Sequence, residues 1–275
     1  METNSAGHIR ANGIRQHYLH FGSSGRRILI VPGIITPAIL WQHVGKSLSP
    51  TYDCYVLDVR GRGLSESGAH LDYGFDACAQ DAIAFIRALD LAPLTVLGHS
   101  MGARIALRAA SMAPALFESI ILVDPPTSGP GRRPYPIPKA RTLALLRAAH
   151  RGELAITQTN NAMRWPDDLW GLRSEWLATC DERAVHVAYD DFHGPRDLFE
   201  DLARTSAPVA LICAGKGDVV AEADVEEMRR IRPDLKAVRL PEVGHQMQAE
   251  NFAEFGRELG AVLRLHDTEI KRSNS

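Results

Sequence analysis

The chain has 275 residues, of which 45% are hydrophobic and 23% are charged, and its formal net charge at pH 7 is −2. This composition is typical of a globular protein that folds as one large domain or as one domain with an insertion. The small net charge gives no reason to expect nucleic acid or an anionic membrane as a partner, and no apolar run is long enough for a membrane helix.

The cysteines and the N-terminal residues bear on the cellular location. The four cysteines are widely separated and form no Cys-x-x-Cys pair, so neither a zinc site nor a redox motif is expected. Residues 1–10 are polar and lack the apolar core of a signal peptide. We therefore expect a cytoplasmic protein with reduced thiols. The sequence carries no motif of a metal site, and we expect neither a metal nor another cofactor.

Short apolar segments alternate with helical patterns in the first half of the chain. Residues 14–21 alternate loosely between polar and apolar, which predicts an early antiparallel strand. Apolar residues at positions 75, 79, 82, 86 and 89 predict an amphipathic helix. Short, mainly apolar strands are predicted at 27–31, 54–57, 94–97 and 120–123, and the strand at 27–31 is of the kind that is buried on both faces of a parallel sheet.

The pattern changes after this point. Residues 129–206 contain no convincing strand, are helical in pattern and are rich in aromatic residues. Strands return at 209–213 and 237–240, and a final amphipathic helix ends near residue 265. The alternation predicts an α/β fold with a mostly parallel sheet and helices on both faces. The expected division is a core of residues 1–128 and 207–265, a helical cap of residues 129–206, and a flexible tail of residues 266–275.

The sequence Gly98-His99-Ser100-Met101-Gly102 stands between the strand at 94–97 and an alanine-rich helical segment. A Gly-x-Ser-x-Gly motif in a strand–turn–helix context is typical of a nucleophile elbow. The turn holds its central residue in a strained backbone conformation, and side chains at the two glycines would collide with the strand and the helix. Ser100 is therefore the candidate nucleophile. A glycine-containing connection without a catalytic role is the alternative interpretation.

A serine nucleophile needs a base, and a histidine held by a carboxylate can serve. His245 lies in the loop after the last predicted strand, at the sheet edge where the elbow is expected, and is the candidate base. Two residues compete for the acid, since Asp124 follows the strand at 120–123 and Asp218 follows the strand at 209–213. Either could reach the outer nitrogen of His245, with geometry slightly favouring Asp218. Either could instead cap a turn or a helix.

An acyl-transfer site also needs hydrogen-bond donors for the oxyanion that develops in the transition state. We expect the backbone N–H of Met101, which follows the nucleophile, to be one donor. The second should be the N–H of Ile34, in the loop after the strand at 27–31, where Gly33 permits a tight turn. Because both donors are backbone N–H groups, their positions depend on the turns of the two loops more than on the side chains that the loops carry.

The motifs resemble those of the α/β-hydrolase family. The resemblance extends over residues 14–128 and 207–264, and it rests on Gly98-His99-Ser100-Met101-Gly102, Asp58-x-Arg60-Gly61-x-Gly63-x-Ser65 and Gly244-His245. It implies an eight-stranded sheet, a helical cap after the sixth strand, and a serine hydrolase that requires no metal. A dinucleotide-binding protein is a weaker interpretation, because Gly61-Arg62-Gly63 lacks the third glycine of the phosphate-binding fingerprint.

A narrower resemblance is to the deformylases of this family, which take part in nicotinate degradation. It implies Asp124 as the acid, and hydrolysis of N-formylmaleamate to maleamate and formate. The alternatives are a carboxylesterase or another amidase, of the acetamido-acid hydrolase type, that acts on a small carboxylate substrate. A non-enzymatic ligand receptor is a weaker interpretation, because a candidate nucleophilic serine, a candidate acid and a candidate histidine base are all present. The resemblance rests on Val31-Pro32-Gly33-Ile34, on residues 57–68, and on Val123-Asp124-Pro125-Pro126 with the following Ser128-Gly129-Pro130-Gly131-Arg132-Arg133.

A carboxylated amide substrate requires a cation or several N–H donors in its pocket. Arg132 and Arg133, at the start of the expected cap, are the candidate cations, although paired arginines often lie in a solvated turn. Tyr135 could add a hydroxyl group. The expected partner is a small carboxylated amide, and the oligomeric state stays open. The remaining candidates for the pocket wall are Trp165, Phe192 and His193.

Overall fold

An eight-stranded sheet runs through the chain, of which a computed structural model describes residues 4–153 and 165–273. The spatial order of the strands is β1-β2-β4-β3-β5-β6-β7-β8. β1 and β2 are antiparallel to their neighbours, and all neighbours from β4 across to β8 are parallel. The predicted α/β fold with a mostly parallel sheet is therefore confirmed. The strands are β1 (Asn4–Ala11), β2 (Ile14–Phe21), β3 (Arg26–Val31), β4 (Tyr52–Leu57), β5 (Leu94–His99), β6 (Phe117–Val123), β7 (Val209–Ala214) and β8 (Lys236–Leu240).

Helices cover both faces of this sheet. The α-helices of the described residues are α1 (Gln42–Leu48), α2 (Phe75–Ala88), α3 (Met101–Met112), α4 (Lys139–His150), α5 (Asp167–Trp176), α6 (Glu182–Phe192), α7 (Leu198–Arg204), α8 (Glu222–Ile231), α9 (Met247–Glu250) and α10 (Phe252–Ser273). Buried side chains of α2, α3 and α8 pack on one face, and those of α1 and α10 pack on the other.

The central strands place successive side chains on opposite faces of the sheet. In β3, Leu29 and Val31 belong to the core beneath α2 and α3, whereas Ile28 and Ile30 belong to the core beneath α1 and α10. None of these four side chains is more than 1% exposed. Each contributes about 1.5–3 kcal/mol of transfer free energy. Burial on both faces explains why these strands are continuous apolar runs in the sequence.

A helical insertion separates β6 from β7. Its described residues form α4, α5, α6 and α7, and no strand lies among them. α7 packs against α3 of the sheet layer, so the insertion is anchored at its C-terminal end. The helical insertion after the sixth strand is thus present, while the domain boundaries at residues 128 and 207 stay predictions.

The first strand is a feature that the sequence interpretation missed. β1 pairs with β2 in an antiparallel hairpin in which Ala11 lies opposite Ile14. The two connecting residues, Asn12 and Gly13, have φ values of 51° and 76°. An Asn-Gly pair with two positive φ angles is the most favoured two-residue hairpin turn, so the signal for this hairpin was present in the sequence. β1 was overlooked because most of its side chains are exposed and carry no apolar alternation.

The C-terminal helix continues beyond the end that the sequence predicts. A flexible tail was expected from residue 266, but α10 extends to Ser273. The carboxylate of Asp267 accepts hydrogen bonds from Arg26 Nη1 at 2.7 Å and from the Tyr52 hydroxyl at 2.9 Å. These bonds attach the C-terminal part of the helix to β3 and β4, the first two parallel strands of the chain. The partners lie more than 200 residues away in sequence, which is why no local pattern indicated them.

Candidate active site

The connection from β5 to α3 has the geometry of a nucleophile elbow. Ser100 has φ 53° and ψ −120°, a backbone conformation that residues other than glycine rarely adopt. A Cβ atom at Gly98 would lie 2.4 Å from the carbonyl oxygen of Gly102. A Cβ atom at Gly102 would lie 1.9 Å from the carbonyl oxygen of Val31. Both glycines are therefore required by close backbone packing around the serine.

Three side chains form a hydrogen-bonded relay at the carboxyl ends of the strands. The Ser100 Oγ atom is 2.9 Å from His245 Nε2, and His245 Nδ1 is 2.6 Å from Asp124 Oδ2. Asp124 is fully buried, and its other oxygen accepts the Ala214 N–H at 3.0 Å. The second bond fixes the carboxylate between β6 and β7. The arrangement is that of a nucleophile, a general base and an orienting acid.

The alternative acid lies elsewhere. Asp218 is exposed in the loop after β7, where Gly217 and Asp218 both have positive φ. The outer nitrogen of His245 is bonded to Asp124 instead. The preference for Asp218 on geometric grounds was therefore wrong. β6 and β7 are neighbouring parallel strands whose ends meet at one edge, and sequence spacing does not reveal which following loop turns outward.

Two contacts hold the loop that carries His245. The carboxylate of Glu250 accepts the N–H groups on either side of the histidine, from Gly244 at 2.8 Å and from Gln246 at 3.2 Å. The carbonyl oxygen of His245 accepts a hydrogen bond from His99 Nε2 at 2.9 Å. Burial lowers the pKa of His99 to about 3, so this ring is a neutral donor at pH 7. Glu250 was not among the sequence candidates, because an acid at this position has no motif of its own.

The two expected oxyanion donors come from neighbouring loops. Met101 is the first residue of α3, and the first N–H groups of a helix have no intrahelical acceptor. Ile34 follows β3 and lines the same cavity as Ser100. The buried guanidinium of Arg62 links the two loops, because its Nε donates to the Ile34 carbonyl oxygen at 3.1 Å and its Nη2 lies 3.4 Å from Met101 Sδ. The roles of Ile34 and Met101 as oxyanion donors stay predictions.

A cavity of about 220 Å³ opens above the serine. Ser100 and His245 form its floor, and residues from α4 and α5 form part of its wall. The hydroxyl of Tyr135 is 3.4 Å from His245 Nε2. Burial raises the pKa of Tyr135, which keeps this hydroxyl protonated and able to donate. Tyr135 is thus the one polar pocket candidate from the sequence that faces the reacting atoms in the described part of the chain.

The paired arginines do not line this cavity. Arg132 donates to Asp197 at 2.6 Å and to both oxygens of Glu227, and its guanidinium stacks on Phe199 at 3.6 Å from the ring centre. Arg133 is partly exposed and pairs with Asp224 at 2.8 Å. The prediction that one of them meets a substrate carboxylate is therefore not supported by the geometry. Their acidic partners lie 65 to 95 residues further along the chain, out of reach of local sequence reasoning.

The other pocket candidates take different positions. Phe192 is fully buried and packs against Tyr135, with 4.8 Å between ring centres, so it supports the pocket without lining it. His193 is exposed at the C-terminal end of α6. Trp165 is buried beside Trp170. Residues that line the cavity and were missed include Arg141, Thr142, Arg173, Gln246 and Glu250.

Comparisons with known proteins agree with this fold. The model of the alpha/beta hydrolase family matches residues 28–255. The chain therefore belongs to the alpha/beta hydrolase family. It is 44% identical over 256 residues to N-formylmaleamate deformylase of Pseudomonas putida, a match that covers 92% of this chain and 95% of the relative. The predicted resemblance to the deformylases is thus confirmed.

Solved structures give the same result. A crystal structure of a serine-to-alanine variant of N-formylmaleamic acid deformylase from Pseudomonas putida S16 superposes with a TM-score of 0.86 at 42% identity, covering 91% of this chain and 98% of that one. A structure of E-2-(acetamidomethylene)succinate hydrolase has a TM-score of 0.79 at 21% identity, covering 96% of this chain and all of that one. The second likeness concerns the fold alone.

None of the helices in the described residues is long and apolar enough to cross a membrane. Within residues 4–153 and 165–273, no group of three or more His, Cys, Asp or Glu side chains is arranged to hold a metal ion.

Proposed function

We propose that this protein is a serine amidase that hydrolyses N-formylmaleamate to maleamate and formate. The observation that carries the chemistry is the relay from Ser100 through His245 to Asp124, with bonds of 2.9 and 2.6 Å. The substrate is taken from the relative that is 44% identical over nearly its whole length. The volume of the cavity beside this relay, about 220 Å³, supports a small substrate.

The first step forms the bond between serine and the formyl carbon. Ser100 Oγ attacks this carbon while His245 Nε2 takes the hydroxyl proton. Asp124 holds the ring in the tautomer whose Nε2 can accept, and it stabilises the imidazolium that forms. The formyl oxygen becomes an oxyanion, and the N–H groups of Ile34 and Met101 are the donors that we propose for it.

The second step breaks the bond between the formyl carbon and the amide nitrogen. His245 returns its proton to this nitrogen, and maleamate leaves with an intact primary amide. The formyl group remains as an ester on Ser100. His245 then takes a proton from water, which attacks the formyl carbon and releases formate. The sum is one water consumed for each C–N bond cleaved.

The proposal extends to location and organisation. We infer a cytoplasmic protein, because Cys54, Cys78, Cys180 and Cys213 are all buried free thiols. Residues 129–206 act as a cap that, with the core, encloses a small carboxylated amide. Nucleic acid and membranes are not partners in this proposal.

A substrate panel tests the proposed function. Formate release from N-formylmaleamate is compared with hydrolysis of a p-nitrophenyl ester and of an acetamido acid, each scored by kcat/KM. We expect N-formylmaleamate to be preferred by at least about 100-fold, the discrimination available when a site pairs a polar group of one substrate only. A preference for the plain ester would overturn the deformylase assignment in favour of a carboxylesterase. A preference for the acetamido acid would favour the other type of amidase.

A further inference from the structure

Arg173 is a buried cation on the wall of the catalytic cavity. It lies in α5, is 4% exposed, and lines the cavity that holds Ser100 and His245. Its Nε and Nη1 atoms are buried and have no hydrogen-bond partner among the described residues. The guanidinium lies over the ring of Trp165, 4.7 Å from the ring centre. An aromatic face balances part of the charge but accepts none of the N–H bonds in the guanidinium plane.

Other buried arginines of this chain are satisfied. Arg60 donates to both oxygens of Asp81, and Arg108 donates to Asp201. Arg62 and Arg104 pair with no carboxylate among the described residues but donate to backbone carbonyl oxygens. An unpaired guanidinium in a protein interior is costly, because desolvation is not offset by new hydrogen bonds. Arg173 differs from these arginines, because two of its buried nitrogens have no hydrogen-bond partner among the described residues.

The charge of Arg173 persists at neutral pH. Burial lowers its pKa to about 10, which leaves the side chain protonated at pH 7. Glu250, an acid on the described cavity wall, accepts the Gly244 and Gln246 N–H groups. Arg141, another arginine that lines the cavity, is exposed. Among the described residues, Arg173 is therefore a buried planar cation on the cavity wall whose unpaired nitrogens are available to a ligand.

We propose that Arg173 binds the carboxylate of the substrate and thereby sets which formyl amide reaches Ser100. A guanidinium pairs with a carboxylate through two parallel N–H···O bonds, which fixes orientation as well as distance. The ligand class is a short acyclic formyl compound whose leaving group ends in a carboxylate. The identity of N-formylmaleamate rests on the proposed function, but the selection of an anionic leaving group does not.

The test compares an anionic and a neutral substrate. The pair is N-formylmaleamate and N-formyl-cis-crotonamide, in which a methyl group replaces the carboxylate. Arg173→Met keeps an unbranched apolar side chain and removes the guanidinium with its charge, and we expect it to lower kcat/KM for N-formylmaleamate by about 10- to 100-fold. For the neutral analogue we expect a change of less than about 3-fold, because the lost interaction is one that this substrate never makes. Arg173→Lys should give an intermediate loss, since it keeps the charge and loses the fork.

The matched control is Arg147→Met. Arg147 also lies on a helix of the insertion, but it is exposed and pairs with Glu182. The substitution should leave kcat/KM for each of the two substrates within about 2-fold of the native value. Equal losses for the two substrates in Arg173→Met would show a purely structural role and would overturn the proposal.

A second measurement does not depend on how Arg173 variants fold. In Ser100→Ala, which removes only the nucleophile oxygen, N-formylmaleamate and its neutral analogue are titrated by calorimetry. We expect the anion to bind at least about 10-fold more tightly. Equal affinities would contradict the proposal.

A failure of the proposed function can be distinguished from a failure of the proposal for Arg173. If the native protein does not hydrolyse N-formylmaleamate, the formyl esters of 4-hydroxybutyrate and of 1-butanol replace the amide pair. They differ only in the carboxylate, so preference for the anionic ester that disappears in Arg173→Met supports the role of Arg173. The same rate for both esters in the native protein would overturn it.

Discussion

The sheet edge around Ser100 and the wall of α5 around Arg173 satisfy their polar groups in different ways. At the sheet edge, both oxygens of Asp124 and both oxygens of Glu250 accept hydrogen bonds from the chain itself. On the wall, Arg173 has two buried nitrogens without a partner in the described residues. The catalytic groups are therefore held in place before substrate arrives, whereas the binding group is completed by it. This difference predicts that substitutions at the sheet edge lower kcat. Substitutions of Arg173 should instead lower kcat/KM for an anionic substrate much more than for a neutral one.

The largest effect is expected from Ser100→Ala. Without the attacking oxygen, kcat for formate release should fall by about 10⁴- to 10⁶-fold. Because only one oxygen is removed and the positive φ is retained, the Tm from a thermal melt should change by no more than about 3 °C. Residual activity above about 1% of the native rate would mean that the edge does not supply the nucleophile.

Asp124→Asn tests which of the two candidate aspartates, Asp124 or Asp218, orients His245. An amide cannot stabilise the imidazolium and can hold the ring of His245 in the wrong tautomer, so kcat should fall by about 10⁴-fold. The matched change, Asp218→Asn, alters an exposed side chain and should leave kcat within about 2-fold. Steady-state kinetics of both variants on N-formylmaleamate measure the contrast. The reverse order of losses would assign the acid to the loop after β7.

Glu250→Gln tests whether the loop of His245 is held by the carboxylate. A glutamine side chain offers one acceptor oxygen where the glutamate offers two, so one of the N–H groups beside His245 loses its acceptor. We expect kcat to fall by about 10-fold, in line with one lost bond to a charged acceptor. KM should change much less. Glu254→Gln, which changes a partly exposed acid in the first turn of α10, serves as control, and a comparable loss there would remove the argument.

The smallest effect concerns stability below neutral pH. The folded pKa of His99 is about 3, lowered first by burial and then by the neighbouring His245, whereas the unfolded value is near 6.5. Between these values the unfolded state binds one more proton at this position, so His99 lowers the free energy of unfolding as pH falls below 6.5. The slope contributed is about 1.4 kcal/mol per pH unit.

His99→Gln keeps a donor for the His245 carbonyl but does not titrate. Urea unfolding between pH 6 and 4.5 should therefore show a slope that is reduced by about 1.4 kcal/mol per pH unit. Gln80→Asn changes an exposed side chain that does not titrate and should leave the slope as it is. An unaltered slope in His99→Gln would show that this ring titrates in the folded state as it does in the unfolded one.

The elements that the sequence predicted correctly are those with local signals. The apolar strands follow from burial on both faces, and the elbow follows from two glycines that flank the serine at close contact with backbone atoms. His245 follows from its loop after the last strand. Each of these features is encoded within a few residues, so a periodicity or a short motif indicates it.

The elements that were missed depend on contacts between distant residues. Arg132 was assigned to the substrate because its acidic partners, Asp197 and Glu227, are remote in sequence. Arg173 was overlooked because a single arginine in an α-helix is usually solvated, and only the packing of α5 against the site buries it. The choice between Asp124 and Asp218 likewise required knowing how two loops leave neighbouring strands. Such side-chain neighbourhoods are set by tertiary packing, which no single segment reports.

Arg62 has a consequence for how the cavity can open. Its guanidinium donates to the Ile34 carbonyl oxygen beside the reacting atoms, and also to the Ala184 carbonyl oxygen of α6 at 3.2 Å. Moving α6 away would leave a buried donor without an acceptor, at a cost of about 1–3 kcal/mol or more. α6 is therefore held by the same side chain that contacts the loop of Ile34, where one oxyanion donor is predicted.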